Sequence, residues 1–317
     1  MKKVVITGPT GAIGTALIDR LVKENVQVIA VVRPGSARAE RICENDYVIK
    51  AECNLDNLSE LPALVMETEL KHGWNYEEKP DVFYHFGWDG TFGNSRNNMY
   101  GQNLNVKYSL DAVTAAADIG CRTFVGAGSQ AEYGRFEGKL NGSVPVFPEN
   151  GYGIAKLCAG QMTKILCEQK GLCHIWTRIL SIYGPYDGEQ TMVMSTIHKL
   201  IKGERPVCTA GEQMWDYLYS KDAGLAMYLL GDKGVHGRVY CIGSGQAAPL
   251  KSYIEEIRNA AAPDSEIGFG EVPYAEKQVM YLCADITDLI EDTGFKPEYS
   301  FKEGIKETVS WCRNFRR

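Results

Sequence analysis

A β-branched run that breaks into regularly spaced glycines and passes straight into an amphipathic stretch leaves this chain few ways to fold. Lys3 to Thr7 reads as an apolar strand, Gly8, Gly11 and Gly14 follow, and Ala12 to Lys23 carries Ile13, Leu17 and Leu21 along one face. Strand, tight turn and helix in that order form the first half of a strand–helix–strand unit. The alternation continues. Strands are expected at Val26–Val32, Tyr47–Lys50, Val82–His85, Thr123–Ala127 and His174–Ile179, with helices at Leu58–Leu70, Arg96–Ile119 and Tyr152–Lys170. This spacing predicts a parallel sheet covered by helices on both faces.

Beyond residue 180 the pattern is less regular. Helices are expected at Thr191–Lys202, Lys221–Leu230, Leu250–Ala262 and Ser300–Phe315, and a strand at Arg238–Ile242. Residues 1–180 are expected to form the first domain, with 215–245 returning elements to it. Residues 181–214 and 246–317 then make a smaller lobe. A chain of 317 residues can bury a core of that size.

The net charge of −6 argues against a nucleic-acid surface, which needs a basic face. No run of about 18 apolar residues exists to span a membrane. The first strand starts almost at once, so no signal peptide is expected. Ten scattered cysteines include no C-x-x-C pair, so they read as small buried hydrophobes in a reducing cytoplasm. His174 and His236 have no metal-ligand company, and no metal site is expected.

The glycine turn is suited to a dinucleotide. Backbone without side chains lets a pyrophosphate approach the unpaired N–H groups of a helix N-terminus. The spacing here is G-x-x-G-x-x-G. An NAD site usually carries an acid at the end of the second strand for the ribose 2′-hydroxyl. Val32 occupies that position, Arg33 comes next, and Arg38 and Arg41 follow. A guanidinium can grip a 2′-phosphate through two hydrogen bonds. NADP(H) is therefore the expected cofactor, with NAD(H) the alternative.

Tyr152 and Lys156 lie four apart in YGIAK, one helical turn from each other, and Ser129 ends the strand before them. Hydride arriving at a carbonyl carbon creates an alkoxide that needs a proton, and the reverse reaction needs a base. A free tyrosine, with a pKa of about 10, is too weakly ionised for that. A lysine ammonium one turn away, together with the positive charge of an oxidised nicotinamide, is expected to lower it, while Ser129 hydrogen-bonds the reacting oxygen.

With the segments TGPTGAIG, GAGSQAEYG, YGIAK, RILSIYGP and WDYLYSKDAGLA, the chain resembles the extended short-chain dehydrogenases/reductases, in their nucleotide-sugar epimerase, dehydratase and reductase branch. The resemblance covers essentially the whole length. It implies a Rossmann-type doubly wound α/β fold with a smaller, mostly C-terminal α/β substrate lobe. It implies that Tyr152 is the acid/base, that Lys156 holds the nicotinamide ribose, and that Ser129 binds the reacting oxygen. The cofactor set it implies adds Thr10, Ala12, Ile13, Asn54, Leu55, Phe86 and Gly87 to the glycines and Arg33. The substrate set it implies is Trp88, Ser129, Gln130, Arg178 and Trp215. His85 falls where the family has a histidine beside the cofactor, though a structural role is equally open. Asn105 stands at a position where the family often has an asparagine, and is read as structural or indirectly catalytic.

The family's dehydratases usually carry an Asp–Glu pair after the serine or threonine, where this chain has Gln130 and Ala131. Dehydration is thus disfavoured, with Glu132 one place further on as the remaining candidate acid. The expected activity is reduction of a 4-keto nucleotide sugar with NADPH. Epimerisation through a transient 4-keto sugar is the alternative, and a non-catalytic NADP(H)-binding sensor or scaffold the non-enzyme reading. Many relatives place an arginine where Trp215 stands, so Lys199, Lys202 and Arg205 become candidates for the compensating charge. The loop Trp88–Asn98 is expected to meet the sugar. Leu110, Val113 and Ala117 on one helix and Leu157, Met162 and Ile165 on another suggest a homodimer through a four-helix bundle.

Overall fold

A computed structural model describes residues 1–315. Seven strands form one sheet: β1 (Lys3–Thr7), β2 (Gln27–Val32), β3 (Val48–Glu52), β4 (Val82–His85), β5 (Thr123–Ser129), β6 (Cys173–Ile179) and β7 (Val239–Ile242). Their order is β7-β6-β5-β4-β1-β2-β3, and every pairing is parallel. The order reverses between β1 and β4, so the connections leaving those strands run to opposite sides and open the crevice where such sheets bind ligands. This is the expected doubly wound Rossmann-type sheet. β7 comes from the segment expected to return to it.

Helices α1 (Ala12–Lys23), α2 (Leu61–Lys71), α3 (Met99–Ile119) and α4 (Gly151–Lys170) make four of the five connections among the first six strands, and a 3-10 turn over Ala37–Arg41 lies between β2 and β3. α5 (Met192–Ile201), α6 (Ser220–Lys233), α7 (Leu250–Ala261), α8 (Thr287–Thr293) and α9 (Phe301–Asn314) follow. The strands are buried on both faces, which is why they read as continuous apolar runs. One core joins β1, β2 and β4 to α1 and α6. A second packs α2 and α3 on the other face. A third holds α5, α7 and α9 together around Tyr183 and Tyr219.

Two expected starts shift. The helix expected from Leu58 begins at Leu61 after a 3-10 turn over Leu55–Glu60, and the one expected from Arg96 begins at Met99 after another over Gly93–Asn97. Asn98 caps α3 by accepting from the Gly101 N–H, which fixes that start. The polar segment before β4 is fastened from below. Buried Lys3 pairs with Glu69 at 2.5 Å and donates to the carbonyls of Asn75 and Glu78. Six cysteines are buried, but Cys43 and Cys158 are exposed, against expectation. Among the described residues no helix is long and apolar enough to cross a membrane.

Candidate active site

The turn after β1 crosses close over the end of β4. Gly8 has φ +68°, and a Cβ there would lie 2.6 Å from Gly87 N and Phe86 C. Only glycine fits both the conformation and the gap. Leu55 in turn packs beneath Gly87. Gly8, Leu55, Phe86 and Gly87, far apart in sequence, therefore share one wall of the crevice.

Gly11 is different: a Cβ there would meet no protein atom within 4 Å, so nothing in the fold itself excludes a side chain. It stands at the N-terminus of α1, which has no side-chain cap and no acid in its first turn. Open space above unpaired N–H groups is what a pyrophosphate requires, and the residues present fit a dinucleotide. Arg33 is exposed directly after β2. Arg41 donates from Nη1 to the Thr10 carbonyl at 3.2 Å, which brings a second guanidinium to the glycine turn itself.

Ser129, Tyr152 and Lys156 meet at the carboxyl edge of the sheet. Ser129 ends β5 with its hydroxyl beside the phenol of Tyr152, which it helps to hold down. Tyr152 is the second residue of α4, whose start is set by Asn150 accepting from the Gly153 N–H at 2.9 Å. Lys156 lies one turn further on. Its Nζ donates to the Ala127 carbonyl at 2.6 Å and sits 3.6 Å from the centre of the Trp88 ring. The Trp88 edge also meets the Tyr152 ring at 6.1 Å.

Electrostatics at this point differ from the expectation. Burial pushes the Lys156 ammonium down to about 7, with Glu132 opposing that shift. Burial also pushes the Tyr152 phenol above its ordinary value. The groups holding it down are the Ser129 hydroxyl and the Arg96 guanidinium, 4.5 Å from the ring centre, rather than Lys156. Lys156 Nζ lies 5.8 Å from the Tyr152 ring centre and donates to the Ala127 carbonyl. Sequence patterning marked Arg96 only as the start of a helix and a member of the preceding loop, because nothing local links it to Tyr152.

Glu132 is fully buried. It accepts from the Ser129 N–H at 2.8 Å, pairs with Arg178 at 2.7 Å and accepts from the Trp176 indole at 3.1 Å. It is sealed behind the serine, out of reach of any substrate. Arg178 is likewise buried, over the Tyr133 ring at 4.5 Å, and faces Glu132 rather than the crevice. Gln130 is half-buried on the short turn that follows Ser129. Trp215 is half-buried, and its indole donates to the Ser181 hydroxyl at 2.8 Å. That bond ties the ring to the segment that follows β6.

Two further residues act as struts. His85 is buried between Thr7, 2.8 Å from Nδ1, and Ser109, 3.3 Å from Nε2. Burial, aided by Lys156, pushes it down to about 3, so it is neutral. Asn105 bonds both the N–H and the carbonyl of Asp89, pinning the loop after β4. Of the three candidate compensating charges, Arg205 is already paired with Glu271 at 2.5 Å, whereas Lys199 and Lys202 are exposed.

Residues 4–243 match the sequence model of the NAD dependent epimerase/dehydratase family. The CDP-abequose synthase of Salmonella muenchen is 23% identical over 313 residues, covering 98% of this chain and 97% of that protein. The UDP-N-acetylglucosamine 4-epimerase of Methanobrevibacter ruminantium, solved with UDP-N-acetylmuramic acid, superposes with a TM-score of 0.86 at 22% identity, over 99% of each chain. RMD from Pseudomonas aeruginosa, solved with NADPH, superposes at 0.79 with 19% identity, over 99% of this chain and 100% of the other. Other similar structures hold NAD.

Proposed function

This chain belongs to the NAD dependent epimerase/dehydratase family, and on that premise we propose that it is a nucleotide-sugar oxidoreductase that reduces a 4-keto nucleotide sugar with NADPH. The observation that carries the reading is the meeting of Ser129, Tyr152 and Lys156 at the same carboxyl edge of the sheet as the glycine turn. The turn from Gly8 to Gly14, with Thr10, Ala12 and Ile13, would hold the pyrophosphate. Asn54, Leu55, Phe86 and Gly87 would line the rest of the dinucleotide, and Lys156 the nicotinamide ribose. The reduced nicotinamide, when bound, supplies the hydride. Tyr152 then gives its proton to the developing alkoxide, and Ser129 steadies that oxygen by hydrogen bonding. Sealing of Glu132 behind Ser129 leaves the residues after the serine without an acid able to expel water, which favours reduction over dehydration.

Arg33 supports NADPH: it is exposed at the end of β2, and no acid stands in Val32's place. Arg33→Asp should shift selectivity towards NAD(H) by about tenfold or more, the worth of one charge-assisted contact. The measurement is kcat/KM with each cofactor, and an unchanged ratio would count against NADPH. The activity itself is tested by giving the purified protein NADPH and 4-keto nucleotide sugars. Reduction consumes the cofactor in proportion to substrate. Interconversion of 4-hydroxyl epimers with no net consumption would favour the second reading, an epimerase, which the similar 4-epimerase supports.

Residues 1–180 with 215–245 are proposed as the cofactor domain, and the remainder as the substrate lobe. A homodimer is proposed through α3 and α4. Tyr100, Leu104, Ile154, Met162 and Ile165 are exposed there at helical spacings, whereas Val113, expected on this face, is in the core. Sedimentation should give twice the 35.2 kDa chain mass. Leu104→Glu with Ile165→Glu should halve it, by burying charge in an apolar contact.

A further inference from the structure

The loop between β4 and α3 is fastened to the start of α4 at the point where Tyr152 stands. Asn97 accepts from the Gly151 N–H at 3.0 Å, and Gln102 braces the loop through the carbonyls of Gly90 and Ser95. This anchoring lays the half-buried Arg96 guanidinium over the Tyr152 ring, 4.5 Å from its centre. Its one hydrogen bond is a long contact from Nη1 to the Thr91 carbonyl, and among the described residues no carboxylate pairs with it. A guanidinium left without an anion, yet clamped against one ring, acts on that ring.

We propose that Arg96 is a positioning residue that orients the Tyr152 ring and supplies the permanent positive charge stabilising its phenolate. Lys156 stands further from the ring. Its Nζ is 5.8 Å from the ring centre and is engaged by Ala127 and Trp88. The Arg96 guanidinium is of a kind that stays charged throughout the working range. The other groups facing this corner are Ser129 from β5, Glu132 behind it, and neutral His85 beneath Lys156. Glu132 opposes ionisation of the phenol, but its charge is met by Arg178. Arg96 is thus the fixed cation on the phenol's side of the site.

The proposal rests on Tyr152 being the acid/base. Its test needs no substrate. Full-length protein carrying tyrosine labelled with carbon-13 at Cζ is titrated by NMR, the Tyr152 signal being the one lost in Tyr152→Phe. Arg96→Met should raise the midpoint by about one unit, and Arg96→Lys should restore most of it. Gly151→Ala provides a second route: its new Cβ would lie 3.0 Å from the Arg96 carbonyl and 2.8 Å from Met99 Sδ. Displacing the loop in this way should raise the midpoint with the charge still present. An unmoved midpoint in Arg96→Met overturns the role of Arg96. Turnover surviving in Tyr152→Phe instead overturns the acid/base assignment, so the two failures are distinct.

Discussion

Tyr152→Phe is expected to lower kcat by about a hundredfold to ten-thousandfold, the usual worth of a positioned proton donor. Cofactor affinity should stay within about twofold, since a lost contact worth tenfold would cost about 1.4 kcal/mol. The substitution removes one oxygen and little else. The ring keeps its contacts with Trp88 and Arg96, and the side chain is almost wholly buried, so the cavity left is small. What disappears is the group that gives up a proton as the alkoxide forms, beside Ser129. Steady-state rates with a 4-keto nucleotide sugar, and cofactor titration by fluorescence, separate the two quantities. A Phe variant within tenfold of the parent rate would remove the proposed chemistry.

Glu132→Ala should cost about 3–5 kcal/mol of folding stability, the loss expected when one partner of a buried ion pair is deleted. Arg178 would be left buried with its charge unmatched, and its Nη1 already has no hydrogen-bond partner. The Trp176 indole and the Ser129 N–H would lose their acceptor as well. Urea denaturation measures the effect. Glu132→Ala with Arg178→Met should recover part of the loss, because removing both charges is cheaper than stranding one. A single variant as stable as the parent would show that the pair is not energetically coupled. The variant should also be catalytically impaired even where it folds, because the capping box between Ser129 and Glu132 sets the serine's position.

The exposed pair Arg205–Glu271 is a useful contrast. Both its side chains stand in solvent, where attraction is screened and side-chain entropy opposes it. Breaking it should move the denaturation midpoint little. Burial, more than distance, separates the two pairs, which differ by only a few tenths of an ångström.

Much of this molecule is written locally. The strand at Lys3–Thr7, the helix at Ala12–Lys23 and the strand at Val82–His85 lie where the sequence places them. Each has a period, a breaker and a length that need no distant partner. The glycine turn and the Tyr152–Lys156 pair are likewise short-range patterns. The ends of α2 and α3 were less legible, because each is preceded by a 3-10 turn that shares the helix's periodicity.

Roles that depend on contacts across the fold were harder to read. Glu132 looked like a possible acid until Arg178, 46 residues away, closed over it. Lys3 reads as a polar start to a strand, yet it anchors Glu69 from inside the protein. Arg96 belongs to a loop that only the packing of α3 against α4 carries to Tyr152.

From its sequence alone this chain determines an alternating α/β sheet, a dinucleotide turn and a Ser–Tyr–Lys group, since period, glycine spacing and one helical turn are properties of neighbouring residues. Which charges are buried, which are paired, and which cation faces the phenol were decided only by the tertiary structure. Burial and pairing depend on residues brought together across several elements, and a charge has no defined energy until its surroundings are fixed.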